Sequence, residues 1–340
     1  MIKKPFLWFA QVINGKPEPW KQFPLEGLMV NAYEILKKPK ANKDVREQGI
    51  HEYMEFDGPI MMDSGGFQFM KKSELLVDPN EILNLYKESK PNFGIVLDHP
   101  LGINLNRIER MDRFSKTLQN TRIMTNNHNT NGVELVPAIH GHKLSEIEWF
   151  IEELNKISSF NYLGIGSLVP SVFSTKGVGG ITNVIEIVNF VRKKLLNKRI
   201  HVFGIGSILT MHLMFYAGAD SVDSSGWRTK AAYGAIQIPE KGDRYITKRT
   251  RNKKYLDVSK EDKQILESCG CPICRTNGLE ELRTSFTSRA THNAWVYQEE
   301  VKKARELIRL GKYEEYVKSV LSKITAFANV IKFAEKLNGS

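Results

Sequence analysis

Short apolar runs rich in β-branched residues recur along the chain. Each ends on small or polar residues and is followed by a stretch with apolar positions three and four residues apart. The runs occupy residues 27–30, 59–62, 93–97, 133–139, 162–165, 201–205 and 219–222, and 234–238 is the best candidate for an eighth. Between them the helical spacing predicts amphipathic helices, for example over 144–157 and 184–196. Strand alternating with helix at this cadence implies a parallel sheet, and about eight such units imply a closed (β/α)8 TIM barrel, an α/β fold. An open doubly wound sheet is the competitor. The polar positions decide between them. Asp63, Asp98, His140, Gly166, Gly206 and Asp223 each fall at the C-terminal end of a different run. A closed barrel gathers those ends at one mouth, whereas an open sheet spreads them along a line.

The pattern changes after residue 240. A basic stretch, a cysteine cluster and Thr291-His292-Asn293 come first, and helical spacing then returns over about 294–310 and 313–337. The expected layout is a barrel core with an N-terminal extension over 1–240 and a basic insert with a small metal-binding subdomain over 241–295. Helices over 296–340 then pack back on the barrel.

Length and composition agree with this layout. A chain of 340 residues, 41% hydrophobic, can bury a full core without disulfides. No apolar run approaches the length of a membrane span. The start, Met1-Ile2-Lys3-Lys4-Pro5-Phe6-Leu7-Trp8-Phe9-Ala10, has a basic end, but Gln11 and Asn14 interrupt it before a signal-peptide pattern matures. The expectation is a soluble, cytoplasmic protein with no membrane partner. The formal charge of +11, from 49 Lys and Arg against 38 Asp and Glu, suits an anionic polymer or simple solubility. Distribution favours the polymer: residues 244–254 hold Arg244, Lys248, Arg249, Arg251, Lys253 and Lys254 without an acid, next to the cysteines. These six are candidate nucleic-acid contacts.

All three cysteines, Cys269, Cys271 and Cys274, lie within Cys-Gly-Cys-Pro-Ile-Cys. An odd number at this spacing suits a metal rather than a disulfide framework. Three thiolates on one knuckle leave a tetrahedral Zn2+ one ligand short, and His292 is the candidate fourth, giving one closed, structural site per chain. Near the other end, Asp63-Ser64-Gly65-Gly66-Phe67-Gln68 follows a predicted strand. Its glycines let backbone pass close to a planar ligand, although Asp63 or Ser64 capping a helix explains the same residues more simply.

That segment resembles the hallmark of tRNA-guanine transglycosylases, and the likeness extends over most of the chain. Val30-Asn31-Ala32-Tyr33 is similar to their first-strand motif, and Leu97-Asp98 stands in the place of their base-recognising aspartate. His140-Gly141-His142 falls where many members have Gln-Gly-Gly, and Gly164-Ile165-Gly166-Ser167-Leu168-Val169-Pro170 looks like the segment lining the base pocket. Phe203-Gly204-Ile205-Gly206-Ser207 and Gly218-Ala219-Asp220-Ser221-Val222-Asp223 match the strand before the nucleophile and the nucleophile strand, and the cysteine knuckle with His292-Asn293 matches the zinc site.

The resemblance implies a pentosyltransferase working by double displacement. Asp223 would be the nucleophile at C1′, forming an aspartyl-sugar intermediate, and Asp63 the general acid and base. Asp98 would accept hydrogen bonds from the guanine edge, with Ser64, Gly65, Phe67, His140, Gly141, Gly166 and Ser167 around the base. The residues after Asp223 depart from the bacterial tRNA enzymes. Ser224-Ser225-Gly226-Trp227-Arg228 offers a stacking plane, Trp227, beside a phosphate-binding cation, Arg228, although Trp227 packed under the barrel rim fits equally well. With the chain ending at Ser340, this pattern looks more like the DNA-guanine transglycosylases of bacterial and phage 7-deazapurine systems. The expectation from it is a 7-deazaguanine, preQ0 or a derivative, inserted into DNA in a bacterial or phage-infected cytoplasm. The alternatives are the same exchange on tRNA and a non-catalytic nucleic-acid-binding subunit, and the resemblance leaves room for a homodimer as in tRNA-acting relatives.

Overall fold

Nine short parallel strands form one sheet. They are β1 (Phe6–Ala10), β2 (Leu28–Asn31), β3 (Ile60–Asp63), β4 (Phe93–Ile95), β5 (Glu134–Val136), β6 (Ala138–Ile139), β7 (Tyr162–Ile165), β8 (Arg199–Val202) and β9 (Ser221–Ser224). The computed structural model describes residues 4–69, 77–126, 129–172, 180–247 and 256–339. Strand order is β5-β4-β3-β2-β1-β9-β8-β7-β6. β5 and β6 are two halves of one run broken at Pro137, which has no N–H to donate to a ladder. Val96 N donates to Val136 O on one side and Gly164 N to Pro137 O on the other (3.0 and 2.9 Å), so the ring closes through that run. The fold is therefore an eight-position (β/α) barrel.

Side chains alternate between two cores, as the two-residue period of a strand demands. Phe6, Trp8, Met29, Met61, Phe93 and Tyr162 fill the barrel interior. Leu7, Phe9, Leu28 and Val30 pack outward against the helices. With both faces covered, these strands read as unbroken apolar runs.

Two expectations change here. The eighth strand is not 234–238 but β1, which pairs with both β2 and β9. Its continuous apolar sequence next to a basic terminus is what a leader and a fully buried parallel strand have in common. Ala235–Ile238 instead forms an antiparallel hairpin with Gly242–Tyr245. Ile236 and Ile238 pack there with Leu266 and Leu282 in a small separate core.

The helix Leu144–Ile157 has the predicted bounds, and Ile181–Lys194 lies close to them. Near the C-terminus, Phe286–Arg309 starts earlier than expected, capped by Ser285 Oγ on Ser288 N, and 313–337 divides into Tyr313–Leu321 and Thr325–Gly339. Among the described residues no helix is long and apolar enough to cross a membrane.

Candidate active site and metal centre

The C-terminal strand ends surround a cavity of about 310 Å³, at the lower end of the range for small-molecule sites. Clefts of about 890 and 670 Å³ lie elsewhere, but only the smaller cavity collects Asp63, Asp98 and Asp223. Met29, Ile95, Val169, Pro170 and Phe203 give it apolar walls, and Phe67, Gly166 and Ser167 also line it. A cavity that combines apolar walls with three carboxylates suits a base presenting hydrogen-bond donors.

Asp63 closes β3, where Asn31 Nδ2 donates to its Oδ2 at 3.0 Å. Burial, and next the Asp98 carboxylate, push Asp63 up to about 7, against hydrogen bonds from the Gly65 N–H and Asn31; Asp223 adds to the rise. Asp63 can therefore both give and take a proton near neutrality. The two glycines that follow have separate reasons. Gly65 sits at φ +93°, and a Cβ on Gly66 would lie 2.0 Å from Asp98 Oδ1.

Asp98 is 7% exposed. His140 Nε2 lies 3.0 Å from its Oδ2, yet without the alignment of a hydrogen bond. His140 Nδ1 meets Ser167 Oγ at 2.8 Å, and that oxygen accepts from Leu101 N at 2.7 Å. His140 thus stands behind the cavity wall. Ser64 is fully buried, its Oγ turned 3.5 Å from Val96 O, and the space beside Gly141 is filled by Ile147 and Glu146. These two support the backbone rather than face the cavity.

Among the described residues Asp223 is held at one oxygen: Oδ1 accepts from Gly204 N at 2.6 Å and lies 3.2 Å from His201 Nε2. His201 was not among the expected site residues. Its signal in the sequence is a polar residue alternating with Phe203 just before the Gly204-Ile205-Gly206 segment. Behind it, His201 Nδ1 meets Ser221 Oγ at 2.9 Å, Ser221 Oγ meets Tyr162 OH at 2.6 Å, and Trp8 Nε1 donates to that phenol at 3.2 Å. Burial pushes the Tyr162 phenol up to about 12, so it keeps its proton at neutral pH.

The expected nucleic-acid contacts fare differently. Trp227 is fully buried and its Nε1 donates to Ala10 O at 3.2 Å, so it packs under the barrel rim and offers no free stacking face. Arg228 is half-buried, its Nε donating to Lys16 O at 3.0 Å and its cation over the Phe286 ring. Arg244 binds Asp262 Oδ2 at 3.1 Å. Lys248, Arg249, Arg251, Lys253 and Lys254 lie outside the described residues.

At the knuckle, the ligand atoms of Cys269, Cys271, Cys274 and His292 lie within 4.8 Å of one another. His292 Nδ1 is 3.4 Å from the Cys271 and Cys274 sulfurs and 3.9 Å from that of Cys269. Those separations are close to the edges of a tetrahedron with metal bonds of about 2.0–2.3 Å. His292 Nε2–H donates to Gln237 O at 2.9 Å, which turns the lone pair of Nδ1 toward the thiolates. Asn293 fastens this unit to the barrel: its Nδ2 donates to Trp227 O and Ala235 O, and its Oδ1 accepts from Gln237 N. The four residues can hold one metal ion and leave no ligand position for substrate.

Comparison with known proteins agrees with this geometry. The family model described as queuine tRNA-ribosyltransferase (TGT) matches residues 11–326. The tRNA-guanine(15) transglycosylase of Korarchaeum cryptofilum is 25% identical over 299 residues, covering 86% of this chain and 48% of that protein. That of Methanococcus aeolicus is 27% identical over 300 residues, covering 85% and 43%. That of Thermococcus kodakarensis is 25% identical over 346 residues, covering 96% and 55%. The chain spans about half the length of these curated relatives.

Proposed function

The chain belongs to the queuine tRNA-ribosyltransferase family, and on that premise we propose that it exchanges a guanine in a nucleic acid for a free guanine-like base. The observation that carries this reading is the convergence of Asp63, Asp98 and Asp223 on one cavity. Asp223 attacks C1′ of the target nucleoside, the C1′–N9 bond breaks, and its electron pair leaves with guanine. Asp63, poised near pH 7, gives a proton to the departing base and later takes one from the incoming base. Asp98, acceptor-only when ionised, binds the donor edge of either base. Attack by the new base on the same face then restores the original configuration. A non-catalytic binding subunit has no need for carboxylates whose mutual repulsion costs stability.

The polymer this reading favours is tRNA, the substrate in the printed names of the relatives. DNA is the second reading, resting on Ser224-Ser225-Gly226-Trp227-Arg228 after Asp223. It loses one support, because the Trp227 indole is buried. The incoming base is a 7-deazaguanine, preQ0 first. The knuckle would hold Zn2+ through Cys269, Cys271, Cys274 and His292, where the ion supplies folding energy to the C-terminal unit. Incubating the protein with labelled preQ0 and either tRNA or duplex DNA tests the assignment. Label entering tRNA alone is expected. Label in DNA alone moves the substrate to the second reading, and label in neither ends both.

A further inference from the structure

Asp223 has two oxygens in different surroundings. Oδ1 takes both donors, the Gly204 N–H and the His201 ring, while Oδ2 has no hydrogen-bond partner among the described residues. The protons behind His201 can be placed by elimination. An indole N–H only donates, so Trp8 makes the Tyr162 oxygen an acceptor. The Tyr162 proton then has one acceptor in reach, Ser221 Oγ at 2.6 Å. Ser221, already an acceptor, turns its own proton to His201 Nδ1 at 2.9 Å. His201 is left carrying its proton on Nε2, facing Asp223 Oδ1 at 3.2 Å. With Nδ1 accepting from Ser221, the ring proton that faces the carboxylate is the one on Nε2. Every member is buried: Trp8 and His201 are 0% exposed, Tyr162 1%, Ser221 2% and Asp223 9%. The members come from four strands, β1, β7, β8 and β9, and the β8–β9 register sets His201 beside Ser221.

We propose that His201 is a positioning residue for the exchange: fixed as the Nε2–H tautomer by Trp8, Tyr162 and Ser221, it and the Gly204 N–H anchor Asp223 Oδ1 and leave Oδ2 to bond the sugar. The proposal rests on the base-exchange reading. In the first displacement Oδ2 forms the bond to C1′ as the C1′–N9 pair departs with guanine, which takes the Asp63 proton. In the second, the incoming base gives its proton to Asp63 and its nitrogen bonds C1′ as the C1′–Oδ2 bond breaks, and the carboxylate regains its charge while its Oδ1 is held by the same two donors. His201 moves no proton in either step. It sets the direction of the carboxylate and supports it as a leaving group.

Two measurements test this, one without turnover. In resting protein labelled with 15N-histidine, with His201 assigned by substitution, the ring should be neutral with its proton on Nε2 at neutral pH; an Nδ1–H tautomer or an imidazolium overturns the proposal. In single-turnover trapping, His201→Leu should slow both formation of the protein–nucleic acid adduct and its discharge by added base. The expected loss is roughly 10- to 100-fold in kcat with little change in the KM for the base. His201→Gln, whose amide N–H can reach the same carboxylate oxygen, should recover most of it. Ser221→Ala, a smaller change that serves if His201→Leu does not fold, should mix the His201 tautomers and slow the adduct steps in parallel. Adduct kinetics like those of the unaltered protein in His201→Leu or Ser221→Ala overturn the proposal. Absence of any adduct in the unaltered protein overturns the base-exchange reading instead, and the tautomer measurement still stands apart from it.

Discussion

Cys269, Cys271 and Cys274 fall within six residues and need one partner from a distant helix, whereas Asp63, Asp98 and Asp223 reach their cavity from three separate strands. The two clusters also treat charge in opposite ways. At the knuckle, a divalent cation would neutralise the gathered thiolates, so crowding them favours folding once metal is present. At the barrel mouth no cation stands among the largest influences on Asp63 from the described residues, and burial with two carboxylate neighbours raises it to about 7. One cluster is arranged for stability, and the other accepts instability to keep a proton exchangeable.

Substitutions that break the comparison should rank by how directly each touches the reacting bond. Asp223→Asn should abolish the trapped adduct and lower kcat by about 1,000-fold or more, with an unchanged circular dichroism spectrum. An undiminished adduct in that variant removes the mouth from consideration as the reactive centre. Cys271→Ala should give the opposite profile. Bound metal, read by atomic emission, should fall well below one ion per chain. Stability in urea should fall by at least about 3 kcal/mol, with the unit around Ala235–Ile238 and His292 unfolding first.

Asp98→Asn sharpens the electrostatic half. Removing the neighbouring negative charge should raise the KM for the base about 10-fold or more. It should also shift the pH dependence governed by Asp63 downward from about 7, since Asp98 is the largest charge acting on it. The smallest effect is on stability. Because the folded-state value for Asp63 lies above that of an unfolded aspartate, the folded protein binds the proton more tightly, and stability declines as pH rises from about 4 to 7. Asp63→Asn should therefore raise Tm by roughly a few degrees at pH 8 and leave it nearly unchanged at pH 4. Equal shifts at both pH values would show that Asp63 is not strained by its surroundings.

Legibility differs between the two regions for the same reason. The cysteine spacing carries its own geometry, because ligands on one tight turn meet whatever the rest of the chain does. Asp63 was legible only through the family resemblance, since its residues alone fitted a helix cap better; the structure then gave its two glycines their reasons, positive φ for one and space beside Asp98 for the other. His201 was not, since a histidine that opens a short run acquires meaning only when Ser221 and Asp223 are brought alongside. Trp227 was left open, as a stacking plane beside Arg228 or as a residue packed under the barrel rim, and the helix Gly226–Ala232 decided for the second by turning it inward to Ala10.

By itself, the order of residues determined the strand-helix cadence, the parallel barrel and the residues at its mouth, because these follow from periodicity and short-range spacing. It also determined the knuckle, through the reach of one turn. Tertiary structure decided that Phe6–Ala10 closes the ring, that Ala235–Ile238 leaves it, and that a line of buried hydroxyl and ring protons ends at one oxygen of Asp223. Those outcomes depend on which strands become neighbours, and a parallel barrel pairs segments from opposite ends of the chain, so no local pattern can carry them.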